Sequence, residues 1–348
     1  MVHEVLSNYN LIQGKLEFQP VMNGLINQTW LIKNFDKKFI LQKINHRIFK
    51  KPEDIAHNVR LIADYLLLNN PAYLFIAPLK TNNNQEMNFL KEKGYFRLFP
   101  FVEKSHTINA VEMPQQAFEA ARKFGEFTKL LAKFPAKKLH VTLPDFHNLT
   151  LRYQQFSNAL EDGNKDRLLQ SNVLINFIQA NKNIVNTYEK ILHDPFFKLR
   201  VTHHDTKISN VLFNDEDKGL CVIDLDTVMP GYFFSDVGDM IRTYLSPANE
   251  EEKDFSKIKI RDHYFKAIWD GYMKEMKDEL SEVEKSHFIY AGKFMIYMQA
   301  IRFLTDHLNN DIYYGARYEN HNLVRAGNQI ILLQLLITKE EELERLIK

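Results

Sequence analysis

Cysteine is almost missing: the 348 residues hold one, Cys221. A disulfide framework within the chain is thereby excluded, and a reducing compartment fits. An excess of charge is missing too, since 45 Lys and Arg against 44 Asp and Glu leave a formal net charge of +1. That balance gives no general attraction to nucleic acid or to an anionic membrane, so any phosphate binding must come from a local site. Long apolar runs are also missing. Ala72–Leu79 and Ile330–Ile337 are the longest, well short of the ~20 residues that span a bilayer. The opening MVHEVLSNYNLIQGK lacks the basic start and apolar run of a secretory signal. The expectation is a cytoplasmic protein, a monomer by default, with no nucleic-acid or membrane partner. What is present is globular: 45% hydrophobic and 26% charged residues, enough for a sizeable core. At ~100–200 residues per domain, the length argues for two domains or one large unit with lobes.

The first hundred residues read as short strands with one helix. Lys15–Val21, Thr29–Phe35 and Lys38–Ile44 alternate and are rich in β-branched or aromatic residues, which predicts three strands. Between the first two, Asn23-Gly24 is a strong turn signal. A helix is predicted from Pro52, with Ile55, Val59, Ile62, Ala63 and Leu66 on one face. Ala72–Leu79 and Gly94–Glu103 read as two further strands. After Glu103 the period becomes helical: Ala117, Ala121, Phe124, Phe127, Leu131 and Phe134 recur at helical spacing before Pro135. A second long helix is predicted over Ser171–Leu192. The fold class is therefore α+β, with a sheet-bearing region 1–103 and a mainly helical region 104–348.

Between Val201 and Thr227 the helical pattern breaks into a loop and two short apolar strands. His203-x-Asp205, four residues and then Asn210 has the spacing of a kinase catalytic loop. Asp224 follows at the end of the second strand. Phosphoryl transfer needs one carboxylate to orient and deprotonate the attacking hydroxyl, and oxygen ligands that hold Mg²⁺ against the phosphates. Asp205 suits the first task; Asn210 and Asp224 suit the second. The competing reading makes Asp205 and Asn210 turn caps and Asp224 a strand-end carboxylate. A zinc site at His203, His204 and Asp205 is disfavoured, because three adjacent side chains do not easily face one ion. Asp226, two residues after Asp224, would share its face if the strand stayed extended. Asp236 and Asp239 flank Gly238 at a predicted helix start, where capping is the expected role.

These residues, with Ile223–Gly231 and Phe233–Arg242, resemble the aminoglycoside and choline kinase superfamily. They do not resemble protein kinases, for there is no GxGxxG loop, VAIK strand or APE segment. Within the superfamily, Ile26–Trp30, Phe39–Asn45, Arg200–Leu212, Ile301–Tyr314 and Glu319–Arg325 are similar to bacterial N-acetylhexosamine 1-kinases.

The resemblance implies a protein-kinase-like fold of two lobes: a small antiparallel sheet and a large helical lobe. It implies ATP as co-substrate, Mg²⁺ as cofactor and an amino sugar phosphorylated at its anomeric hydroxyl. By carry-over Asp205 is the catalytic base, and Asn210 and Asp224 hold the metal. Asn23, Gly24, Asn27 and Thr29 are expected around the phosphates. Pro100, Phe101 and Val102 form the expected hinge beside adenine. Asp226 contacts a second metal or a sugar hydroxyl, or else braces the catalytic loop; both readings stay open. Arg302 and Tyr313 correspond to sugar contacts, against an ion pair and a core residue as alternatives. Arg317, His321 and Arg325 lie in the same stretch. One departure stands out. Kinases place a Lys on the third strand, paired with a Glu on the next helix, whereas Gln42 and Lys43 stand there and only Glu53 follows. A kinase for choline, homoserine or a methylthio sugar is the nearest competitor, and a non-catalytic nucleotide or sugar sensor a further one. A glycosidase built on Asp224 and Asp226 is disfavoured, because same-face carboxylates do not flank a scissile bond.

Overall fold

A computed structural model describes residues 1–9, 16–21 and 26–348; the Asn23-Gly24 turn lies outside them. The chain opens with helix α1 (Val2–Leu6), followed by strands β1 (Leu16–Val21), β2 (Gln28–Asn34) and β3 (Lys37–Lys43). Helix α2 (Pro52–Asn69) and strands β4 (Asn88–Leu90) and β5 (Gly94–Pro100) complete the first region. The five strands form one antiparallel sheet in the order β1-β2-β3-β5-β4. Its alternation separates two faces. Ile32, Phe39, Leu41, Phe96 and Leu98 point outward into a small core roofed by Val2, Val5, Leu6 and Tyr9. The other face carries one transverse row, in which Val21 pairs with Thr29, Thr29 with Gln42 and Gln42 with Arg97.

Two expectations are corrected. Ala72–Leu79 is not a strand: only Leu79 bridges to Leu98, and the added strand is β4. Pro71 and Pro78 bracket the segment and give no ladder N–H. Its apolar content packs sideways instead, with Tyr73, Phe75 and Ala77 against the large core. The helix predicted over Ser171–Leu192 breaks in two at Asn181, whose side chain donates to the Phe177 carbonyl (2.9 Å) and competes with the helical ladder.

Helix α2 begins at Pro52, pre-set for a first turn, but its apolar stripe does not serve the sheet. Ile55, Val59, Ile62 and Leu66 join the core of the helical lobe. Asn58 fastens the contact, donating to the carbonyls of His140 (2.8 Å) and Val228 (2.9 Å).

The second region runs through helices α3 (Pro114–Leu130), α4 (Leu149–Asp162), α5 (Lys165–Gln170), α6 (Asn172–Ala180) and α7 (Asn183–Leu192). Strands β6 (Arg200–Thr202), β7 (Val211–Phe213), β8 (Gly219–Val222) and β9 (Met229–Gly231) follow, with β6 paired to β9 and β7 to β8. Helices α8 (Phe233–Tyr244), α9 (Asp262–Met276), α10 (Glu282–Ser286), α11 (Phe288–Leu308), α12 (His321–Thr338) and α13 (Glu340–Ile347) close the chain. The β7–β8 hairpin is as the sequence predicts, its turn organised by Asn214 Oδ1, which accepts from the amides of Glu216 and Lys218. Cys221 is buried in β8. Among the described residues no helix is long and apolar enough to cross a membrane.

Candidate active site

The two ladders β6–β9 and β7–β8 hold between them the loop that carries Asp205. Its backbone is clamped from below by helix α8. Asp236 accepts the amides of His203 (3.0 Å) and His204 (2.7 Å), and Asp239 accepts that of Thr206 (2.9 Å). The expected capping role of these two aspartates is thus corrected, since they satisfy the orphan amides of another segment and fix the loop that carries Asp205. His203 is buried, which favours its neutral form. Its Nε2 lies 2.9 Å from the Ile223 carbonyl; a carbonyl only accepts, so Nε2 carries the proton. That bond ties the loop to the strand end that presents Asp224. Gly231 meets the loop from the other side, where an added Cβ would lie 2.3 Å from Thr202 Oγ1 and 2.4 Å from His204 Nε2.

Asp205 is fixed at both oxygens. Lys207 Nζ lies 3.1 Å from Oδ1, and Asn210 Nδ2 donates to Oδ2 at 3.0 Å. Burial raises its pKa, but Lys207, then His203, and the bonds from Lys207 and Asn210 outweigh that and hold the carboxyl below its ordinary value. It is therefore ionised at neutral pH, as a base must be. Asp224 is the opposite case: burial first, then the charges of Asp226 and Asp205, push it up to about 7. Its backbone is left-handed (φ 58°), a conformation Asp tolerates better than most residues.

That turn ends the extended strand, so Asp226 does not share a face with Asp224. It sits in the 3₁₀ turn Leu225–Thr227 and is 2% exposed. Oδ2 accepts from Asn27 Nδ2 (2.7 Å), and Oδ1 lies 2.5 Å from Arg97 Nη1. The carboxylate is thus committed to the sheet region, and its bonds run there and not to the loop that the bracing reading gave it. Asn27 is corrected with it. Its amide is on Asp226 and its Oδ1 accepts from the Asn45 amide (3.0 Å), so both ends clamp the lobes together.

Two cavities meet over this loop. The first, about 350 Å³, lies between the sheet and the hairpin. The expected Thr29, Pro100, Phe101, Val102, Asn210 and Asp224 all line it. The second, about 610 Å³, is lined by Asp205, Lys207, Asp239, Arg242, Glu250 and Arg302 among others. Asn109 and Ser209 belong to both walls. Their common edge therefore separates the metal-type oxygens from the candidate base.

In the second cavity Arg302 donates to Gln299 Oε1 (3.3 Å) and makes no ion pair among the described residues. Tyr313 does not line this cavity. It is 72% exposed, in the turn after α11, and its neighbour Tyr314 faces inward instead. Asp306 sets that choice by accepting both amides, Tyr313 at 2.7 Å and Tyr314 at 2.9 Å. Sequence reasoning also missed Lys207, Arg242 and Arg97. Only Lys207, inside the motif itself, offered a signal.

Mg²⁺ takes oxygen ligands and is usually held by one or two carboxylates plus substrate phosphates. Asn210 spends its Nδ2 on Asp205, which leaves Oδ1 as its donor atom, and Asp224 is a solvent-reached carboxylate among like charges. This donor set suits a hard cation. Among the described residues no group of three or more His, Cys, Asp or Glu side chains could hold a metal.

With this geometry in hand, comparison with known proteins gives the family. Residues 17–264 match the phosphotransferase enzyme family APH. The chain belongs to it. Solved structures agree on a kinase-like fold. A microcompartment-associated aminopropanol kinase superposes with a TM-score of 0.70 at 11% identity, covering 98% of this chain and 97% of its own. An aminoglycoside phosphotransferase from Alicyclobacillus acidocaldarius gives 0.65 at 14%, covering 99% and 96%. A spectinomycin phosphotransferase solved with ADP and spectinomycin gives 0.60 at 13%, covering 98% and 97%.

Proposed function

We infer that this phosphotransferase moves the γ-phosphoryl of ATP to the anomeric hydroxyl of an N-acetylhexosamine, giving the sugar 1-phosphate. The observation that carries the reading is the shared edge of the two cavities, with Asp205 on one side and Asn210 and Asp224 on the other. ATP would lie in the first cavity and the sugar in the second. Asp205 accepts the hydroxyl proton as the sugar oxygen bonds to the γ-phosphorus and the bond from that phosphorus to the β-phosphate's bridging oxygen breaks, releasing ADP. An anomeric hydroxyl is more acidic than an ordinary alcohol, so a carboxylate of depressed pKa suffices. Lys207 balances the charge on Asp205 beside the transferring group. Asn210 and Asp224 would hold Mg²⁺, which when bound neutralises the phosphates in a loose transition state.

The charge pattern supports a sugar over an amine. Every carboxylate in the acceptor cavity already has a cation: Asp205 has Lys207, Asp239 has Arg242, Glu250 has Arg242 and Arg325, and Glu251 has Arg325. None is left for an ammonium group. Arg302 is left without an acid, and its charge bears on Arg152, whose pKa is lowered by burial first and by Arg302 next. A choline-type acceptor calls for aromatic faces and uncompensated negative charge. A free guanidinium suits neutral sugar and acetamido oxygens.

The test is direct. Purified protein with Mg-ATP is offered N-acetylglucosamine, N-acetylgalactosamine, glucose, choline, ethanolamine and aminopropanol, and products are read by ³¹P NMR. A sugar 1-phosphate from an N-acetylhexosamine is expected. Turnover of the amino alcohols alone overturns the acceptor and keeps the kinase.

A further inference from the structure

The third strand lacks the usual lysine, and its register shows what stands in its place. Alternation sends Lys43 to the outer face, where its Nζ lies 5.9 Å from the Phe96 ring centroid. Gln42 faces the donor cavity with Thr29 and Arg97 in one row. Gln42 is uncharged, and Glu53 is bonded to Tyr95. The ordinary pair therefore cannot form from these positions.

Arg97, one strand over on β5, supplies a cation in the same row. Its Nε and Nη2 donate to Gln42 Oε1 at 3.1 and 2.8 Å. Nη1 lies 2.5 Å from Asp226 Oδ1, with both side chains 3% exposed. A guanidinium has five N–H donors; two go to Gln42 and one faces Asp226, so two remain. They belong to a side chain that lines the cavity holding Asp224 and Asn210. Its planar fork is fixed by Gln42 and Asp226 and stacked near Phe99, whose ring centroid lies 5.1 Å from Cζ. Such a pre-set fork matches phosphate oxygens.

We propose that Arg97 is the residue of the sheet that binds the nucleotide's phosphates, with Gln42 and Asp226 as its positioning partners. The inference rests on the ATP reading of the donor cavity. The ion pair also differs in placement from the ordinary one, in which both partners lie in the sheet-bearing lobe. Here the carboxylate comes from the helical lobe, two residues past Asp224. The phosphate-binding cation and the candidate metal carboxylate are thus held on one strap. Gln42 acts as a spacer: its amide oxygen takes the Nε and Nη2 edge of the guanidinium.

The test compares affinity for ADP with affinity for adenosine, by calorimetry in the presence of Mg²⁺. Arg97→Met with Asp226→Asn removes both charges, so no orphan carboxylate is left buried. The expected result is an ADP affinity lowered ~10-fold or more, the range of a charged hydrogen bond, with adenosine binding within about twofold. Gln42→Lys added to that background restores a cation to the row and recovers most of the ADP affinity. Arg97→Lys keeps Asp226 neutralised, and the fold with it, but loses the fork. Its ADP affinity falls several-fold with adenosine unchanged, so the same ratio is read even if the double variant does not fold. An ADP-to-adenosine ratio equal to wild type in these variants overturns the proposal. A wild-type protein with no preference for ADP over adenosine has a different signature: it removes the nucleotide reading itself and this inference with it.

Discussion

The two cavities that meet beside Asp205 are built on opposite principles. The side proposed for the donor has apolar walls, Ile40, Val59, Ile76, Phe99, Leu212, Ile223 and Leu225, and few charges beyond Arg97 and Asp224. The acceptor side is crowded with charge, from Lys207, Arg242, Arg302, Arg317 and Arg325 against Asp205, Asp239, Glu250 and Glu251. A flat aromatic base can be held by apolar contact and a few backbone groups, so the donor wall needs little polar detail. A small hydroxylated acceptor offers only polar handles, and its discrimination has to come from fixed donors and acceptors. The difference teaches where specificity lies. One wall is generic, and the other is a pre-set polar frame anchored to the catalytic loop.

The largest effect should come from the residue at the seam. Asp205→Asn removes the proposed base but retains the hydrogen bond with Asn210. The expected kcat falls by ~10²–10⁴-fold, the usual range for a lost general base, while ADP binding stays at wild-type strength. A single-turnover assay with calorimetry on the same sample reads both. If nucleotide affinity falls along with the rate, the separation of the two sides is broken.

Next in size is Asp224, on the donor side. Burial, and after it the carboxylates of Asp226 and Asp205, push it up to about 7. A proton therefore competes with a cation near neutrality, and the protonated fraction grows as pH falls below that value. The Mg²⁺ concentration for half-maximal rate should rise towards ~10-fold per pH unit below pH 7 and level off above it. Asp224→Asn should lower kcat ~100-fold and abolish that slope. A flat Mg²⁺ requirement between pH 6 and 8 would break the assignment.

Legibility in the sequence followed the same division. The donor side is made from strands whose alternation can be read, and Thr29, Pro100, Phe101 and Val102 fall on its wall as expected. Asp205, Asn210 and Asp224 could be grouped from the sequence because the motif and its hairpin are local. The errors came where a side chain's partner is remote. Asn27 and Asp226 meet across 199 positions of sequence, and no local pattern shows that bond. Asp236 and Asp239 bind amides 33 residues upstream, so their helix-start position suggested caps. Arg97 carries no local signal, because its partners lie on β3 and beyond β8.

On the acceptor side the frame itself can be tested. Arg242 joins Asp239 (3.1 Å) to Glu250 (2.8 Å), and Asp239 holds the Thr206 amide. Burial alone would lower the Arg242 pKa, but Asp239 and Glu250 raise it above its ordinary value, so its charge is integral to the frame. Arg242→Met leaves Asp239 buried without its cation, which costs about 3–5 kcal/mol of stability, read as a lower denaturation midpoint. The catalytic loop loses its fixed register, and kcat should drop ~10-fold with the KM for ATP unchanged. A shifted KM for ATP would mean that the frame serves both sides.

The smallest effects separate two adjacent tyrosines. Tyr314 lines the acceptor cavity, and Gln299 Nε2 lies 3.5 Å from its hydroxyl. Its ring also lies 5.5 Å from the Arg302 guanidinium carbon. Tyr314→Ala removes a wall and frees Arg302 to turn, so the acceptor KM should rise ~5–10-fold, about the worth of one buried aromatic contact. The KM for ATP should not move. Tyr313 lies outside that cavity and is 72% exposed, and the bond that fixes its turn comes from its backbone amide to Asp306. An alanine keeps that amide. Tyr313→Ala should therefore leave both KM values and kcat within about twofold, as exposed substitutions away from special features do. A rise in acceptor KM for Tyr313→Ala that equals the rise for Tyr314→Ala would mean the turn after α11 refolds around the bound acceptor. The acceptor frame would then be formed by substrate, and the contrast with the donor wall would lie in mobility as well as charge.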